Sequence, residues 1–318
     1  MFALKTRYSG LVKPSVSGAA VKILRRLVYP SHSWQVLRRL GARSEVRKAL
    51  DDPQLKLYSE ILPGDFLHYG FFDDVETTPD LISIRALQRA QLRYAEELLS
   101  HVQDTAAPIL DAGCGMGGLT GQMLRAGWHP MALTPNHAQI EYVRSTYPSI
   151  PVFHGKFEQL PVEKYGGGFG TVIMSESFQY MKLKQAFFTL LQVLRPGGRW
   201  IICDYFRTSA NGGRKSAHAW SACEEGLRDA KMKLVFERDI TRNVLPTLAY
   251  VHMLGERLAA PLVNFVIAKL RKKRPAIHYV LEEVIEELRA YMLDQLQIVN
   301  PAEFSRDKKY MLLVVERA

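Results

Sequence analysis

Cysteine is scarce in this chain, and its spacing argues against a metal site. The 318 residues include only Cys114, Cys203 and Cys223. These residues are widely separated and lack the paired spacing of metal ligands, so the sequence predicts no bound metal. Isolated thiols of this kind are typical of a reducing compartment. We therefore expect reduced cysteines and a cytoplasmic protein.

Long apolar runs are missing as well. Hydrophobic residues make up 47% of the chain, yet no stretch approaches the roughly 18 uninterrupted apolar residues of a membrane span. This composition predicts a globular protein without a transmembrane segment. The length allows one elaborated domain or two small ones.

Acidic residues are nearly absent from the first 50 positions. That stretch holds eleven Lys and Arg against the single acid Glu45, whereas the other 268 residues hold 31 basic and 31 acidic residues. Apolar residues recur beside the cations at intervals of three to four, which predicts short amphipathic helices split at Tyr29-Pro30. Three interpretations stay open: a peripheral membrane anchor, a helical cap and a cleavable presequence. Nucleic acid is not expected as a partner, because no base-reading module is visible.

A glycine-rich turn is the strongest motif in the chain. It reads D-A-G-C-G-M-G-G over residues 111–118 and follows the apolar Ile109 and Leu110. A buried strand, a glycine turn and a helix form a nucleotide-binding unit, because glycines let a ligand approach the backbone. The acid stands two residues before the first glycine, unlike in the dinucleotide-binding fingerprint. This variant resembles the first motif of the class I S-adenosylmethionine-dependent methyltransferases.

The resemblance implies a cofactor and residues that hold it. The cofactor is S-adenosylmethionine, with Gly113 and Gly115 passing under its methionine part and Asp111 orienting the turn.

An aromatic segment upstream extends the resemblance. The residues F-L-H-Y-G-F-F-D at 66–73 resemble the H-Y-G-[YF]-[WF]-D segment of small-molecule and lipid methyltransferases. In that family the segment closes over the methionine end of the cofactor, which implies cofactor contacts from Tyr69 and Gly70.

Strands and helices alternate regularly from residue 105, which predicts a doubly wound parallel sheet. Strands are predicted at 107–111, 129–133, 151–154, 170–175, 198–204, 233–239 and 309–316, and helices at 79–101, 118–126, 136–146, 183–194, about 214–229, 247–272 and 278–293. With the resemblance, the predicted fold is α/β: a Rossmann-like seven-stranded methyltransferase sheet with an N-terminal helical cap and a helical insertion before the last strand. The predicted domains are a basic arm and cap (1–85), a cofactor-binding core (86–240), a helical substrate lid (241–300) and the final strand (301–318).

The acid that binds the cofactor ribose in the family is missing. The end of the second strand resembles the T-L-S-P-x-Q version found in lipid-modifying and tocopherol-like methyltransferases, where Ala132 stands at the acid's position. We expect Thr134, Asn136 or Gln139 to supply the polar contacts instead.

The acid that reads the adenine amino group is also replaced. In the family's G-D-A/F-x-x-L-P motif the acid's position is taken here by Lys156, and lysine has no hydrogen-bond acceptor. Because Lys156 stands at the motif's cofactor-binding position, it is still predicted to contact the cofactor. Adenine is expected to lie against backbone groups and the ring of Phe157. Glu158 is the alternative.

The fourth strand supplies the predicted catalytic acid. It ends in M-S-E-S-F-Q-Y-M at 174–181, which resembles the M-E-S-x-x-H stretch of tocopherol and terpenoid methyltransferases and the related glutamate of sterol and cyclopropane enzymes. Ligands lie at the carboxyl ends of parallel strands, so Glu176 is predicted to face the cofactor cleft, with Ser175 as a cofactor contact. His68 and Tyr180 complete the predicted catalytic set.

The L-R-P-G-G turn at 194–198 matches the family and marks the fold. The strand that follows it ends in three candidates for the acceptor pocket: Asp204, Tyr205 and Phe206.

These residues predict methylation of a lipophilic small molecule, an isoprenoid, terpenoid or other lipid, at carbon. Methyl transfer from a sulfonium depends mainly on positioning. An alkene acceptor would also need aromatic faces to stabilise a cation and a base to remove its proton. The alternatives are O- or N-methylation of a natural product, for which His68 or His252 could act as the base, cyclopropane formation, and a non-catalytic scaffold at a membrane surface.

Overall fold

The computed structural model describes residues 64–209 and 217–317. The helices and strands are α1 (Ile84–Leu99), β1 (Ile109–Ala112), α2 (Gly118–Arg125), β2 (Pro130–Thr134), α3 (His137–Thr146), β3 (Val152–His154), α4 (Val162–Tyr165), β4 (Phe169–Ser175), α5 (Leu183–Val193), β5 (Leu194–Arg207), α6 (Trp220–Asp229), β6 (Lys233–Asp239), α7 (Thr241–Leu254), α8 (Ala260–Lys273), α9 (Pro275–Ile298), α10 (Pro301–Asp307) and β7 (Lys308–Glu316). The basic arm and most of the predicted N-terminal cap lie outside the described residues. The predicted domain boundaries stay a prediction.

The seven strands form one sheet in the order β3-β2-β1-β4-β5-β7-β6. The pairs among β1 to β5 are parallel. The predicted seven-stranded Rossmann-like sheet is therefore confirmed, and each of the seven predicted strands lies within a few residues of an observed one.

The last strand departs from the predicted parallel arrangement. β7 runs antiparallel to both β5 and β6. Its first residue, Lys308, pairs with Arg207, the last residue of β5. The chain thus enters β7 at the carboxyl edge of the sheet, directly from α10, and has to run back in the opposite direction.

Helices cover both faces of the sheet. Alternate residues of a strand point to opposite faces, so Met174 and Trp200 join one core cluster while Ile173 and Ile201 join the other. The first cluster includes the apolar face of α5, and the second includes residues of α1, α2 and α7. The inner strands β1, β2 and β4 are buried on both faces and are therefore mostly apolar. The edge strand β6 is mostly exposed and carries charged residues.

The predicted helical insertion before the last strand is present. α7 contributes Val244 and Leu248 to the core and continues through a five-residue π-helix, Gly255–Ala259, into α8. The continuous helix Thr241–Lys273 is long and apolar enough to cross a membrane by length and composition. Glu256 and Arg257 interrupt it, so it contains no run of about 18 uninterrupted apolar residues, and 6% of its most apolar 18-residue window is buried. Its first half is packed in the core, so crossing a bilayer would require that packing to be lost.

The described residues divide into two compact units, Ile267–Glu282 and the remainder. Within Ile267–Glu282, Nε of Arg271 donates a hydrogen bond to Nε2 of His278 over 3.4 Å. The cleft described below is formed by residues of the larger unit.

Candidate active site

A cleft of about 480 Å³ opens at the carboxyl ends of β1, β2 and β4. This is the edge where ligands bind in open α/β sheets. Its walls are the glycine turn, the loops after β2, β3 and β4, and the aromatic segment before α1. The predicted site residues that line it are His68, Asp111, Gly113, Gly115, Thr134, Gln139, Lys156, Phe157, Ser175, Glu176 and Tyr180.

The glycine turn needs residues that accept left-handed backbone angles. The φ angles of Gly113 and Gly115 are +94° and +56°, where side chains are disfavoured. A Cβ on Gly113 would overlap the side chain of Ser177, whereas one on Gly115 would lie 3.3 Å from the flexible end of Leu67. Gly113 is therefore needed for folding, and Gly115 keeps the cleft floor open.

Asp111 ties the turn to the helix that follows it. Its buried carboxylate accepts a hydrogen bond from the hydroxyl of Thr120 in α2. Burial raises the pKa of Asp111 to about 6, against the lowering effect of its hydrogen bonds. This contact fits the predicted role of orienting the turn.

The loop after β2 presents amides and hydroxyls to the cleft. The hydroxyl of Thr134 donates to Oε1 of Gln139 over 2.6 Å, which leaves the amide nitrogen of Gln139 as a donor. The side-chain oxygen of Asn136 accepts backbone N–H groups at the start of α3. Ala132 is fully buried between strands. Gln139 is thus the best placed of the three candidates to contact ribose oxygens.

The loop after β3 carries three of the candidates. The ring of Phe157 is 1% exposed and packs in the core, and Phe157 is also among the residues that line the cleft. Its contact with adenine stays a prediction. Lys156 is exposed. Oε1 of Glu158 accepts the backbone N–H of Lys182 over 2.8 Å.

Glu176 is the acid at the floor of the cleft. Its φ of +50° is unusual for a non-glycine residue, a conformation that costs about 1–3 kcal/mol. Its backbone N–H bonds to the carbonyl of Cys203. Oε1 accepts the N–H of Tyr69 over 2.8 Å and the hydroxyl of Tyr310 over 2.7 Å. Burial raises the pKa of Glu176 to about 7, although both hydrogen bonds favour the charged form.

His68 offers a second proton acceptor in the cleft. Its ring stacks on Tyr94 with centroids 4.2 Å apart. Nδ1 lies 2.8 Å from the carbonyl oxygen of Tyr69, and since a carbonyl only accepts, Nδ1 carries the proton. Nε2 then holds the lone pair, and it is buried without a hydrogen-bond partner among residues 64–209 and 217–317. Burial lowers the pKa of His68 to about 4, so the ring is neutral at neutral pH.

Tyr69 and Gly70 do not line the cleft. The N–H of Gly70 donates to the hydroxyl of Thr247 in α7, and a Cβ on this glycine would press on Ala90 of α1. The segment turns into the core here, so the glycine serves close packing. Tyr69 reaches the site through its backbone, which holds Glu176 and His68.

The remaining candidates are spread over the fold. Tyr180 lies at the mouth of the cleft and is 81% exposed. Asp204 is buried and accepts the backbone N–H groups of Gln179 and Tyr205, so it holds the loop after β4. Phe206 is fully buried in the core. None of the three acceptor-pocket candidates 204–206 is among the described residues that line the cleft, and neither is His252.

Sequence reasoning missed two tyrosines behind Glu176. Tyr310 in β7 and Tyr94 in α1 are fully buried, and their hydroxyls are 3.0 Å apart. Tyr94 also bonds to the hydroxyl of Ser175 and the carbonyl of Cys203. The signal for Tyr310 was its place at the start of the apolar run 311–315, because a buried tyrosine hydroxyl usually has a partner. Tyr94 lies among charged residues of α1, so its sequence neighbours gave no such signal.

Comparison with known proteins identifies the family. Residues 109–198 match the family model described as a methyltransferase domain. The O-methyltransferase cnsE of Penicillium expansum is 30% identical over 245 residues, which cover 70% of this chain and 82% of that protein. An uncharacterized methyltransferase of Mycobacterium bovis is 25% identical over 118 residues, 37% of this chain. The chain spans 48% of the length of that relative.

A solved structure shares the fold. The geranyl diphosphate C-methyltransferase from Streptomyces coelicolor A3(2), in complex with Mg²⁺, geranyl-S-thiolodiphosphate and S-adenosyl-L-homocysteine, superposes with a TM-score of 0.61 at 16% identity. The match covers 86% of this chain and 96% of that one.

Proposed function

We propose that this chain, which belongs to the class I S-adenosylmethionine-dependent methyltransferases, transfers a methyl group to a carbon atom of a lipophilic small molecule. The observation that carries the proposal is Glu176, a carboxyl group at the cleft floor with a pKa of about 7. Such a group serves as a base at neutral pH.

The residues of the cleft fit S-adenosylmethionine. The left-handed glycine turn brings its backbone to the cleft without a side chain at Gly113 or Gly115, and Gln139 in the first turn of α3 offers a donor. When bound, the cofactor supplies a methyl group that its sulfonium has already activated. The protein's part is to hold that group in line with the acceptor and to exclude water.

Carbon methylation gives Glu176 a defined task. When an alkene carbon takes up the methyl group, a carbocation forms and must lose a proton to restore the double bond. An ionised Glu176 stabilises that positive charge and then accepts the proton. In the whole transfer the bond from sulfur to the methyl group breaks as the new C–C bond forms, and one C–H bond then breaks, its electron pair restoring the double bond. Apolar side chains line the same cleft and suit a lipophilic acceptor: Phe66, Leu67, Leu119, Leu133 and Met181.

Methylation of a hydroxyl is the second candidate. It is supported by the similarity to cnsE, whose name is that of an O-methyltransferase, and by His68. The unpartnered Nε2 of His68 is neutral and carries a lone pair, so it could take a proton from a hydroxyl group. Cyclopropane formation and a non-catalytic scaffold remain further alternatives.

Transfer from a donor with a ¹³C-labelled methyl group separates these functions. The protein is incubated with isoprenoid alkenes, matched isoprenoid alcohols and phenols, and the product is analysed by mass spectrometry and NMR. A labelled methyl bonded to carbon supports the proposal, and a labelled methyl bonded to oxygen contradicts it in favour of O-methylation. A protein that shows no cofactor binding by calorimetry would be a scaffold.

Peripheral membrane contact by a cytoplasmic protein is a separate part of the proposal. It rests on the cationic residues 1–50, which lie outside the described residues, and on the expected lipophilic acceptor. Each cation contributes about 1 kcal/mol near an anionic surface, and salt screens the attraction. Salt-sensitive sedimentation with anionic vesicles, lost when residues 1–50 are removed, would support the anchor. Equal sedimentation of both proteins would contradict it and favour the cap.

A further inference from the structure

We infer that Tyr310, on the last strand of the sheet, is a positioning residue that holds one carboxylate oxygen of Glu176 and leaves the other to receive the proton. The inference rests on the proposed function, because the proton comes from the methylated acceptor. It concerns a residue that lies 134 positions away from Glu176 in the sequence.

The two carboxylate oxygens of Glu176 are in different environments. Oε1 accepts both hydrogen bonds, from the N–H of Tyr69 and from the hydroxyl of Tyr310. Oε2 receives no hydrogen bond from the described residues, and Glu176 lines the cleft. A carboxylate held in this way takes up a proton on Oε2, since Oε1 already accepts two donors.

The hydroxyl of Tyr310 has one proton, which fixes the direction of its bond to Glu176. When Glu176 is ionised, the hydroxyl of Tyr310 must donate to it. The hydroxyl of Tyr94 also has one proton, and it lies within hydrogen-bond distance of two oxygens: the hydroxyl of Tyr310 at 3.0 Å and the carbonyl of Cys203 at 3.3 Å. Ser175 donates to Tyr94 over 3.2 Å. Of the two buried tyrosines, Tyr310 is therefore the one that donates directly to the charged form of Glu176.

Other titratable groups surround Glu176, and none takes the place of Tyr310. His68 of the aromatic segment lines the same cleft. Four further groups interact electrostatically with Glu176: Tyr94 of α1, and Cys203, Asp204 and Tyr205 of β5. Burial raises the pKa of Asp204 to about 8, with a smaller contribution from the charge of Glu176. Its carboxylate is held by the backbone N–H groups of Gln179 and Tyr205, and a change at Tyr310 leaves these in place.

Titration of Glu176 by NMR tests the inference without any acceptor. In protein labelled with ¹³C at the glutamate carboxyl carbon, the signal absent from the Glu176→Gln variant belongs to Glu176. Tyr310→Phe removes a donor to the charged form, so we expect the midpoint to rise by about one pH unit. Tyr94→Phe is the matched control: it also removes a fully buried hydroxyl, but one that does not touch Glu176, and the midpoint should move far less.

Two results would overturn the inference: an unchanged midpoint in Tyr310→Phe, or an equal shift in Tyr94→Phe. If Tyr310→Phe does not fold, 3-fluorotyrosine at position 310 keeps the hydroxyl as a stronger donor, and the midpoint should then fall. An unchanged midpoint with fluorotyrosine counts equally against the inference.

Kinetics then connect the positioning to the reaction. Tyr310→Phe should lower kcat. The acid limb of its pH profile should move to higher pH by the same amount as the NMR midpoint, while KM for cofactor and acceptor stays within a few-fold of wild type. A drop in kcat with an unmoved pH profile would mean a structural role only. A wild-type protein that transfers no methyl group would contradict the proposed function, whereas the titration would still decide the role of Tyr310.

Discussion

The two ends of the cleft are built from the chain in different ways. At the reacting end, Glu176 after β4 is held by Tyr69 of the aromatic segment and by Tyr310 of β7. The other end, formed by the loops after β2 and β3, is the one proposed to hold the cofactor's nucleoside. At this nucleoside end, Thr134 bonds to Gln139, only five residues away. The first end is buried and its acid has a raised pKa, whereas the second includes the exposed Lys156.

This difference predicts that the two ends of the cleft have different roles in catalysis and in cofactor binding. A buried side chain that is hydrogen-bonded to distant parts of the chain cannot move when the charge in the site changes. Such a side chain is therefore suited to stabilising a transition state. Local polar contacts at an open end contribute mainly to ground-state binding. Substitutions at the reacting end should therefore lower the rate, and substitutions at the nucleoside end should lower cofactor affinity.

The largest effect is expected for Glu176→Gln. Glutamine keeps the shape but loses the charge and the proton acceptor, so kcat should fall roughly 10²–10⁴-fold, the usual range for lost acid–base help. Cofactor affinity measured by calorimetry should stay within a few-fold of wild type. Glu158→Gln makes the same chemical change at the nucleoside end and should leave kcat intact. Normal turnover by Glu176→Gln would make Glu176 structural and favour O-methylation.

A smaller effect is expected for Gly115→Ala, which puts a methyl group between the two ends. An added methyl in a fitted contact costs about 1–3 kcal/mol, or roughly 5- to 150-fold in the cofactor dissociation constant. Gly127→Ala is the control, because Gly127 also has a positive φ, +78°, and a Cβ there would meet nothing within 4 Å. Both variants should lose similar thermal stability. Equal cofactor affinity in the two would show that the turn does not approach the cofactor.

The smallest effect is expected for Gln139→Leu. The loss of one hydrogen bond to the ribose costs about 0.5–1.5 kcal/mol, so the cofactor should bind roughly 2- to 10-fold more weakly, with kcat at saturation unchanged. A lower kcat with unchanged cofactor affinity would contradict the predicted difference in role between the two ends of the cleft.

Short motifs located the cleft residues that are neighbours in the sequence. The glycine turn, the end of β2 and Glu176 are each identified by such a motif, and the sheet edge brings them together. A motif does not give the direction in which a residue faces: Gly70 packs against Ala90 and does not line the cleft. Tyr310 could not be found from a local motif, because its role depends on β7 running antiparallel beside β5.

The pH dependence of kcat tests most directly whether Glu176 is the base at the reacting end. Burial moves its pKa from the usual 4.5 up to about 7, and the reaction needs the ionised form. At saturating cofactor and acceptor, kcat should therefore rise about tenfold per pH unit below pH 7 and level off above it, and Glu176→Gln should abolish this dependence. A wild-type kcat that is constant from pH 5 to pH 8, or a limb that persists in Glu176→Gln, would contradict the account.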